Sequence, residues 1–342
     1  MNSSTTGINE YFDLSNYSKR FVLSGRTGLY LIADELKIKT SISNILMPDY
    51  CCSSMIVPFV SREFSVSFYD SFDLKNIVVD ETVQAILIMD YFGFISDQTL
   101  KFAAKCKNVG KIIIVDATQT AFSRSNVYNL ADYIVVSYRK WLDSLCAVVY
   151  SKNGFSSTEA VKEQRAYNTI WRNAAKLKER YIRTSLGDKQ EFLALYAKAN
   201  CMLDEDYVGY KANPTEIDLL GRIDSSFIRE IRRNNASYLI TEVKKMSAYF
   251  NVQLLFDRVE KEDCPLFVPI LVNETKRKLI RDELTKNSIY CPIHWPIDER
   301  YPHKKTLYHQ KELSLICDQR YGIKEMRKQV SILSQVLSTT DN

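Results

Sequence analysis

The sequence predicts an α/β protein in which a mostly parallel sheet is flanked by helices and followed by a smaller α+β unit. Three observations point there. Short apolar, β-branched runs recur through residues 1–155 with helical patterns between them, the signature of strands buried between two helix layers. From about 156 to 210 the pattern turns helical and heavily charged. Beyond a further long helical stretch, strand and helix patterns resume on a smaller scale, which divides the chain into a large unit, residues 1–246, and a small one, residues 247–342.

The elements follow in order. Ser24-Gly25-Arg26-Thr27-Gly28 opens a helix whose apolar face is Leu29, Ile32, Ala33 and Leu36, at i, i+3, i+4 and i+7. Ile45–Met47 and Ala85–Met89 read as strands. Asp97–Lys107 reads as a helix from the spacing of Leu100, Ala103, Ala104 and Lys107, and Ile112–Val115, Tyr133–Val136 and Ala147–Tyr150 read as further strands. Ile223–Phe250 is a helical stretch able to link the two units, and its Arg232-Arg233 pair reads as a solvated helix face. Leu266–Val272 and Ser288–Tyr290 are predicted strands, Lys276–Lys286 a helix, and Tyr321–Leu337 the closing helix.

Composition narrows the function. With 342 residues, 46% hydrophobic and 25% charged, the chain suits one large or two moderate globular domains, not disorder, collagen or coiled coil. No apolar run approaches the roughly 18 residues of a membrane span, and the N-terminus lacks the basic start and apolar stretch of a signal peptide, so a cytoplasmic protein is expected. A net charge of +5, spread along the chain, suits an anionic small molecule better than a nucleic acid. The eight cysteines are scattered without a CxxC pair and only three histidines accompany them, so reduced thiols and no metal site are expected.

Three constellations carry chemistry. The glycine-containing turn at 25–28 leaves backbone N–H groups directed at one spot at a helix N-terminus, where a phosphate would be held; a plain helix start capped by Ser24 or Thr27 has the same pattern. Asp116 ends a buried strand, where open α/β sheets put their ligands, although Asp116 and Gln119 also fit a capping box. In Ser137-Tyr138-Arg139-Lys140-Trp141 a strand ends in a hydroxyl and a lysine follows beside a tryptophan. A lysine shielded there becomes a usable nucleophile for a carbonyl carbon; a surface loop lysine is the alternative.

The order and separation of these motifs resemble the fold-type I pyridoxal 5'-phosphate (PLP) enzymes, and more narrowly the sugar aminotransferase family often called DegT/DnrJ/EryC1/StrS. The residues concerned are Ser24-Gly25-Arg26-Thr27-Gly28-Leu29, Met47-Pro48-Asp49-Tyr50, Asp90-Tyr91-Phe92-Gly93, Val115-Asp116-Ala117-Thr118-Gln119 and Ser137-Tyr138-Arg139-Lys140-Trp141-Leu142. The resemblance continues more weakly through 232–236, 292–296 and 317–321. It implies a large domain with a mostly parallel seven-stranded sheet and a homodimer with shared active sites. It also implies that Lys140 binds PLP covalently, that Asp116 pairs with the pyridine nitrogen and that Gln119 lies near the ring's 3-oxygen. Thr27, Gly28 and Ser137 would hold the phosphate. The implied activity is transfer of an amino group from an amino acid, glutamate being the expected donor, to a nucleotide-linked keto sugar, in surface-polysaccharide or secondary-metabolite biosynthesis. Dehydratases of the family carry histidine in place of the lysine, so Lys140 favours transamination.

Two departures bear on the substrate. Where the family has an aromatic residue stacking on the cofactor, this chain has Cys52, which leaves Tyr50 or the thiol itself to cover that face. Where a Gly-Gly turn is usual, the chain has Asp143-Ser144-Leu145-Cys146-Ala147, which keeps open a non-sugar carbonyl substrate. A homologue serving only as a binding subunit would have little reason to keep Lys140, Asp116 and Gln119 together. His294 and Trp295, between Pro292 and Pro296, are placed by the resemblance near the substrate entrance, and Arg320 is a candidate for an anionic donor.

Overall fold

The structure, a computed structural model, describes residues 12–40, 42–157, 161–295, 298–301 and 307–340. Pro296, part of the predicted loop around His294, lies outside them. The large unit is built on a seven-stranded sheet in the order β1-β7-β6-β5-β4-β2-β3. The strands are β1 (Ser18–Val22), β2 (Asn44–Pro48), β3 (Ser65–Tyr69), β4 (Ala85–Ile88), β5 (Ile112–Asp116), β6 (Tyr133–Ser137) and β7 (Ala147–Ser151). Only β7 runs against the rest, pairing antiparallel with both β1 and β6. Consequently β1, β2, β4, β5 and β6 all end at one edge, the edge that carries Leu23, Asp49, Met89, Asp116 and Ser137. Strands β4, β6 and β7 are buried along their whole length, as a sheet covered on both faces requires.

Helix α1 (Gly25–Lys39) begins where the glycine-containing turn predicts. Ser24 is its N-cap, the hydroxyl accepting the Thr27 N–H at 3.1 Å and the carbonyl accepting that of Gly28 at 2.9 Å. Gly28 is there for close packing, because a Cβ would lie 2.8 Å from a methyl of Val135 and 2.9 Å from one of Val149, so only hydrogen lets α1 settle on β6 and β7. The apolar face Leu29, Ile32, Ala33 and Leu36 is buried on that sheet. Helices α2 (Ser53–Val60) and α3 (Asp97–Asn108) follow, and then α4 (Arg165–Thr184) and α5 (Lys189–Glu205) form the charged helical hairpin. After α6 (Pro214–Leu220), α7 (Ser225–Met246) runs to a three-stranded antiparallel sheet, β10-β9-β8, made of β8 (Val252–Leu254), β9 (Phe267–Val272) and β10 (Glu312–Ile316). Helices α8 (Arg277–Lys286), α9 (Leu307–Lys311) and α10 (Ile323–Thr340) complete it. One apolar core runs from Val22 through Ile240 to Leu337, across both sheets.

Several expectations are corrected. Ser288–Tyr290 is a turn and a coil rather than a strand, with Ser288 at φ 63°. Residues 117–120 form no helix, so Asp116 and Gln119 make no capping box. Arg232 is not on a solvated face: it is 2% exposed, and its guanidinium donates to the Gln319 side chain and to the Pro265 and Leu266 carbonyls. A charged pair on a helix reads as surface only until a neighbouring segment folds over it. The described cysteines are all free thiols, and no helix of the described residues is long and apolar enough to cross a membrane.

Candidate active site

The strand ends converge on one place. At the end of β5, Asp116 turns back through Ala117, whose N–H donates to Val135, and its own carboxylate accepts the Thr118 N–H at 2.8 Å. Thr118 then ties the neighbouring strand down, its hydroxyl accepting the Ser137 N–H at 3.1 Å and its carbonyl accepting the Trp141 indole N–H at 2.7 Å. Lys140 lies between Ser137 and Trp141 in a single 3-10 turn, Tyr138–Lys140. The backbone beside it is held from the far side as well, because the Gln319 amide donates to the Trp141 carbonyl at 2.9 Å. The Arg232 guanidinium lies 4.7 Å over the Trp141 ring and donates to Gln319 at 2.7 Å, so the small unit fixes the lysine turn.

The N-terminus of α1 meets the same edge. A Cβ on Gly25 would stand 3.2 Å from the Ser137 Cβ, tight enough that glycine is what lets the turn close on the strand end. The Thr27 and Gly28 N–H groups expected to hold a phosphate are used inside the cap. The first-turn N–H groups of Gly25 and Arg26 have no partner among the described residues, so they are the donors offered there, beside the Ser137 hydroxyl.

Electrostatics couple the cluster. Burial pushes the Asp116 carboxyl above the usual carboxylate range, against the pull of Thr118 and Lys140. The Lys140 side chain is exposed at the wall of a cavity, with protein packed around it on the other sides. Desolvation by that surrounding protein, followed by the Arg139 charge, lowers its amine pKa, while Cys52 and Asp116 pull the other way. A lysine so placed has a larger neutral, nucleophilic fraction at neutral pH than a surface one.

The remaining predicted residues divide. Cys52 belongs to the cluster: it is the N-cap of α2, half-buried, 2.9 Å from the Ser54 hydroxyl, and its charge would act on Lys140. Gln119 is 5% exposed, and its side-chain carbonyl accepts the Phe92 N–H, leaving the amide nitrogen without a partner among the described residues. Tyr50 is fully buried among Phe72, Tyr91 and Trp295, with its hydroxyl on the His294 carbonyl. It therefore braces the small unit's loop rather than presenting a face to a ligand. His294 packs against Phe92 and Phe267 with Nδ1 3.1 Å from the Ser314 hydroxyl, and Trp295 lies 5.2 Å from Tyr50. Arg320 grips Asp318 at 2.5 Å, so its guanidinium already has a carboxylate. Thr118, Arg139 and Gln319 were missed. Thr118 lay in plain view between Asp116 and Gln119, and Gln319 lay in the weakly resembling 317–321 segment with no role assigned to it.

No family model and no curated protein matches the sequence. Solved structures do match. The chain is similar to the aminotransferase TlmJ from Streptoalloteichus hindustanus, with a TM-score of 0.66 and 11% identity over 95% of this chain and 87% of that one. It is similar to Helicobacter pylori PseC, an aminotransferase involved in the biosynthesis of pseudoaminic acid, with a TM-score of 0.67 and 14% identity over 94% and 87%. It is also similar to 3-amino-5-hydroxybenzoic acid (AHBA) synthase, with a TM-score of 0.66 and 11% identity over 99% and 91%. At these identities the likeness establishes the fold alone, and it is the α/β architecture expected from the sequence, a mostly parallel seven-stranded sheet followed by a smaller α+β unit.

Proposed function

We propose that this chain is a PLP-dependent aminotransferase carrying an amino group from an amino acid to a keto sugar. The observation that supports it most is the convergence of an amine, a carboxylate and an anion cradle on one sheet edge. PLP needs all three: Lys140 for its carbonyl carbon, Asp116 for its ring nitrogen, and the Gly25 and Arg26 N–H groups with the Ser137 hydroxyl for its phosphate. When bound, PLP supplies the carbonyl that takes up and returns the amino nitrogen and the ring that draws electrons from the substrate carbon.

The rest of the work belongs to the protein. Asp116, dry and held in place by Thr118, keeps a proton on the ring nitrogen. The Gln119 amide nitrogen is the donor available to the ring's 3-oxygen. Lys140 Nζ moves a proton at the substrate carbon, for which its lowered pKa suits it. We further propose a nucleotide-linked acceptor, glutamate as donor, a cytoplasmic homodimer with shared active sites acting in surface-polysaccharide or secondary-metabolite biosynthesis, and domains at 1–246 and 247–342. The motif resemblance supports these assignments, and TlmJ and PseC, which this chain is similar to, are aminotransferases. A non-sugar carbonyl acceptor has one observation in its favour, the Asp143–Ala147 segment that replaces the family's Gly-Gly turn.

Purified protein saturated with PLP should gain a visible absorbance band, and borohydride followed by peptide mapping should place the reduced adduct on Lys140; Lys140→Ala should lose both. Folded protein that takes up no PLP would sink the proposal. Product analysis with a keto-sugar nucleotide and glutamate then separates sugar from non-sugar acceptors.

A further inference from the structure

Lys140 and Trp141 border a cavity of about 880 Å³ between the α4–α5 hairpin and the 318–320 loop. The hairpin contributes Trp171, Lys178 and Tyr196. Eight basic side chains line this space against three carboxylates. Four of these cations are committed. Arg172 pairs with Asp143 and Glu216, Arg183 with Glu179, and Arg320 with Asp318, while Arg232 is spent on Gln319 and backbone carbonyls.

Lys178 is different. It is half-buried, its ammonium stands 5.9 Å from the Tyr196 ring centroid, and it makes no ion pair or hydrogen bond among the described residues. Burial and the facing Arg320 charge both depress its pKa, whereas Asp318 and Asp143, each already gripped by an arginine, only partly offset this. Arg139 faces the same space. One of its N–H groups goes to the Tyr167 hydroxyl at 3.0 Å and its guanidinium lies 4.9 Å over Trp171, which leaves further donors of a rigid fork. A half-buried ammonium that makes no ion pair is costly, and an oxyanion bound in the cavity that Lys178 and Arg139 both line would remove that cost and take up the free Arg139 donors.

We infer that Lys178 and Arg139 form an oxyanion subsite that receives a carboxylate or phosphate of the substrate whose reacting carbon lies at Lys140. The subsite deepens the aminotransferase reading, on which the identity of the reacting group rests. Its two candidate sources are the carboxylate of the amino donor and the phosphate of the acceptor.

The test uses PLP-loaded protein and Lys178→Met, with Lys178→Arg as the charge-keeping control. Inorganic phosphate is titrated against tryptophan fluorescence, to which Trp171 and Trp141 report from the cavity wall. Lys178→Met should weaken phosphate binding about 10- to 100-fold, the range for losing one charged hydrogen bond, and Lys178→Arg should restore most of it. In turnover, Lys178→Met should raise one KM by a similar factor and more than it lowers kcat. A rise for glutamate but not for alanine or the acceptor assigns the donor carboxylate; a rise for a phosphorylated acceptor but not for its dephosphorylated form assigns the phosphate. Unchanged phosphate affinity together with unchanged KM values would overturn the subsite. If the protein takes up no PLP, the same titration on unloaded protein still reads the Lys178 difference, so loss of the aminotransferase reading and loss of the subsite are separate results. Lys178→Gln, with urea midpoints for all variants, covers misfolding of the methionine variant.

Discussion

Arg232 offers the sharpest test of how the two sheets are joined. It is 2% exposed and donates to three acceptors, Gln319 Oε1 at 2.7 Å, the Leu266 carbonyl at 3.0 Å and the Pro265 carbonyl at 3.2 Å. Arg232→Met keeps the length and the apolar stem but strands those acceptors, each costing about 1–3 kcal/mol when buried and unpaired. Relief from burying the guanidinium offsets part of this and the stranded acceptors are neutral, so the net loss should be about 2–4 kcal/mol. Arg232→Lys keeps the charge without the fork and should recover only part. Arg233→Met is the comparator: its guanidinium reaches backbone carbonyls of the 260–263 loop from a more exposed position, and the loss there should be about 1 kcal/mol. The assay is urea unfolding followed by tryptophan fluorescence, with midpoints compared at matched slopes because a chain with two sheets need not unfold in one step. If Arg232→Met falls within 1 kcal/mol of wild type, or no lower than Arg233→Met, the buried guanidinium does not hold the units together. A second consequence is local: without Arg232, Gln319 loses the group that orients it toward the Trp141 carbonyl, so PLP uptake should slow even in molecules that remain folded.

Three further predictions follow from particular side chains. Gly93→Ala should prevent stable folding, or cost more than about 3 kcal/mol, because at φ 87° its Cβ would lie 2.0 Å from the Cys264 carbonyl oxygen; Gly110→Ala, at φ 76° in open space, should cost only about 1–2 kcal/mol, and equal losses in thermal melts would refute the steric argument. Burial raises the Asp90 carboxyl to about 7, so the folded state holds its proton more tightly than the unfolded one. Stability from this group is greatest at low pH and is lost as pH rises from about 4 to 7, a swing of about 4 kcal/mol that Asp90→Asn should flatten in urea titrations across pH. Lys140, with its pKa lowered, contributes the opposite sign: its penalty is absent above the unfolded lysine pKa, grows as pH falls from there toward the folded value and is constant below it. Because the side chain is itself exposed, Lys140→Met should stabilise the PLP-free protein only slightly at pH 7, with a gain that shrinks toward pH 10, and a destabilised variant at pH 7 would contradict the lowered-pKa account.

Much of this protein is legible along the chain, and the reason is locality. Strands covered on both faces must be apolar throughout, so β4, β5, β6 and β7 announce themselves. A capped glycine-containing turn announces α1, and the strand-end positions of Asp116, Ser137 and Lys140 follow from the strands. The short edge strand β3 (Ser65–Tyr69), with its polar alternation, was not legible in that way, and neither were β8 and β10. The Ser288–Tyr290 run shows the converse, an apolar pattern too short to choose its own conformation.

What the sequence by itself determined is therefore the fold class and the residues at the ends of consecutive parallel strands, because both depend on periodicity and on neighbours within a few positions. Only the tertiary structure decided which atoms are free. It committed the Thr27 and Gly28 N–H groups to the helix cap and left those of Gly25 and Arg26 unpaired among the described residues, sank Tyr50 beneath the small unit's loop, and gave Arg320 to Asp318 while Lys178 makes no ion pair among the described residues. Each of those outcomes rests on a contact made or forgone in three dimensions, the longest of them between Tyr50 and His294, 244 residues apart. A hydrogen bond or ion pair leaves no trace in the sequence of either segment until folding brings the two together.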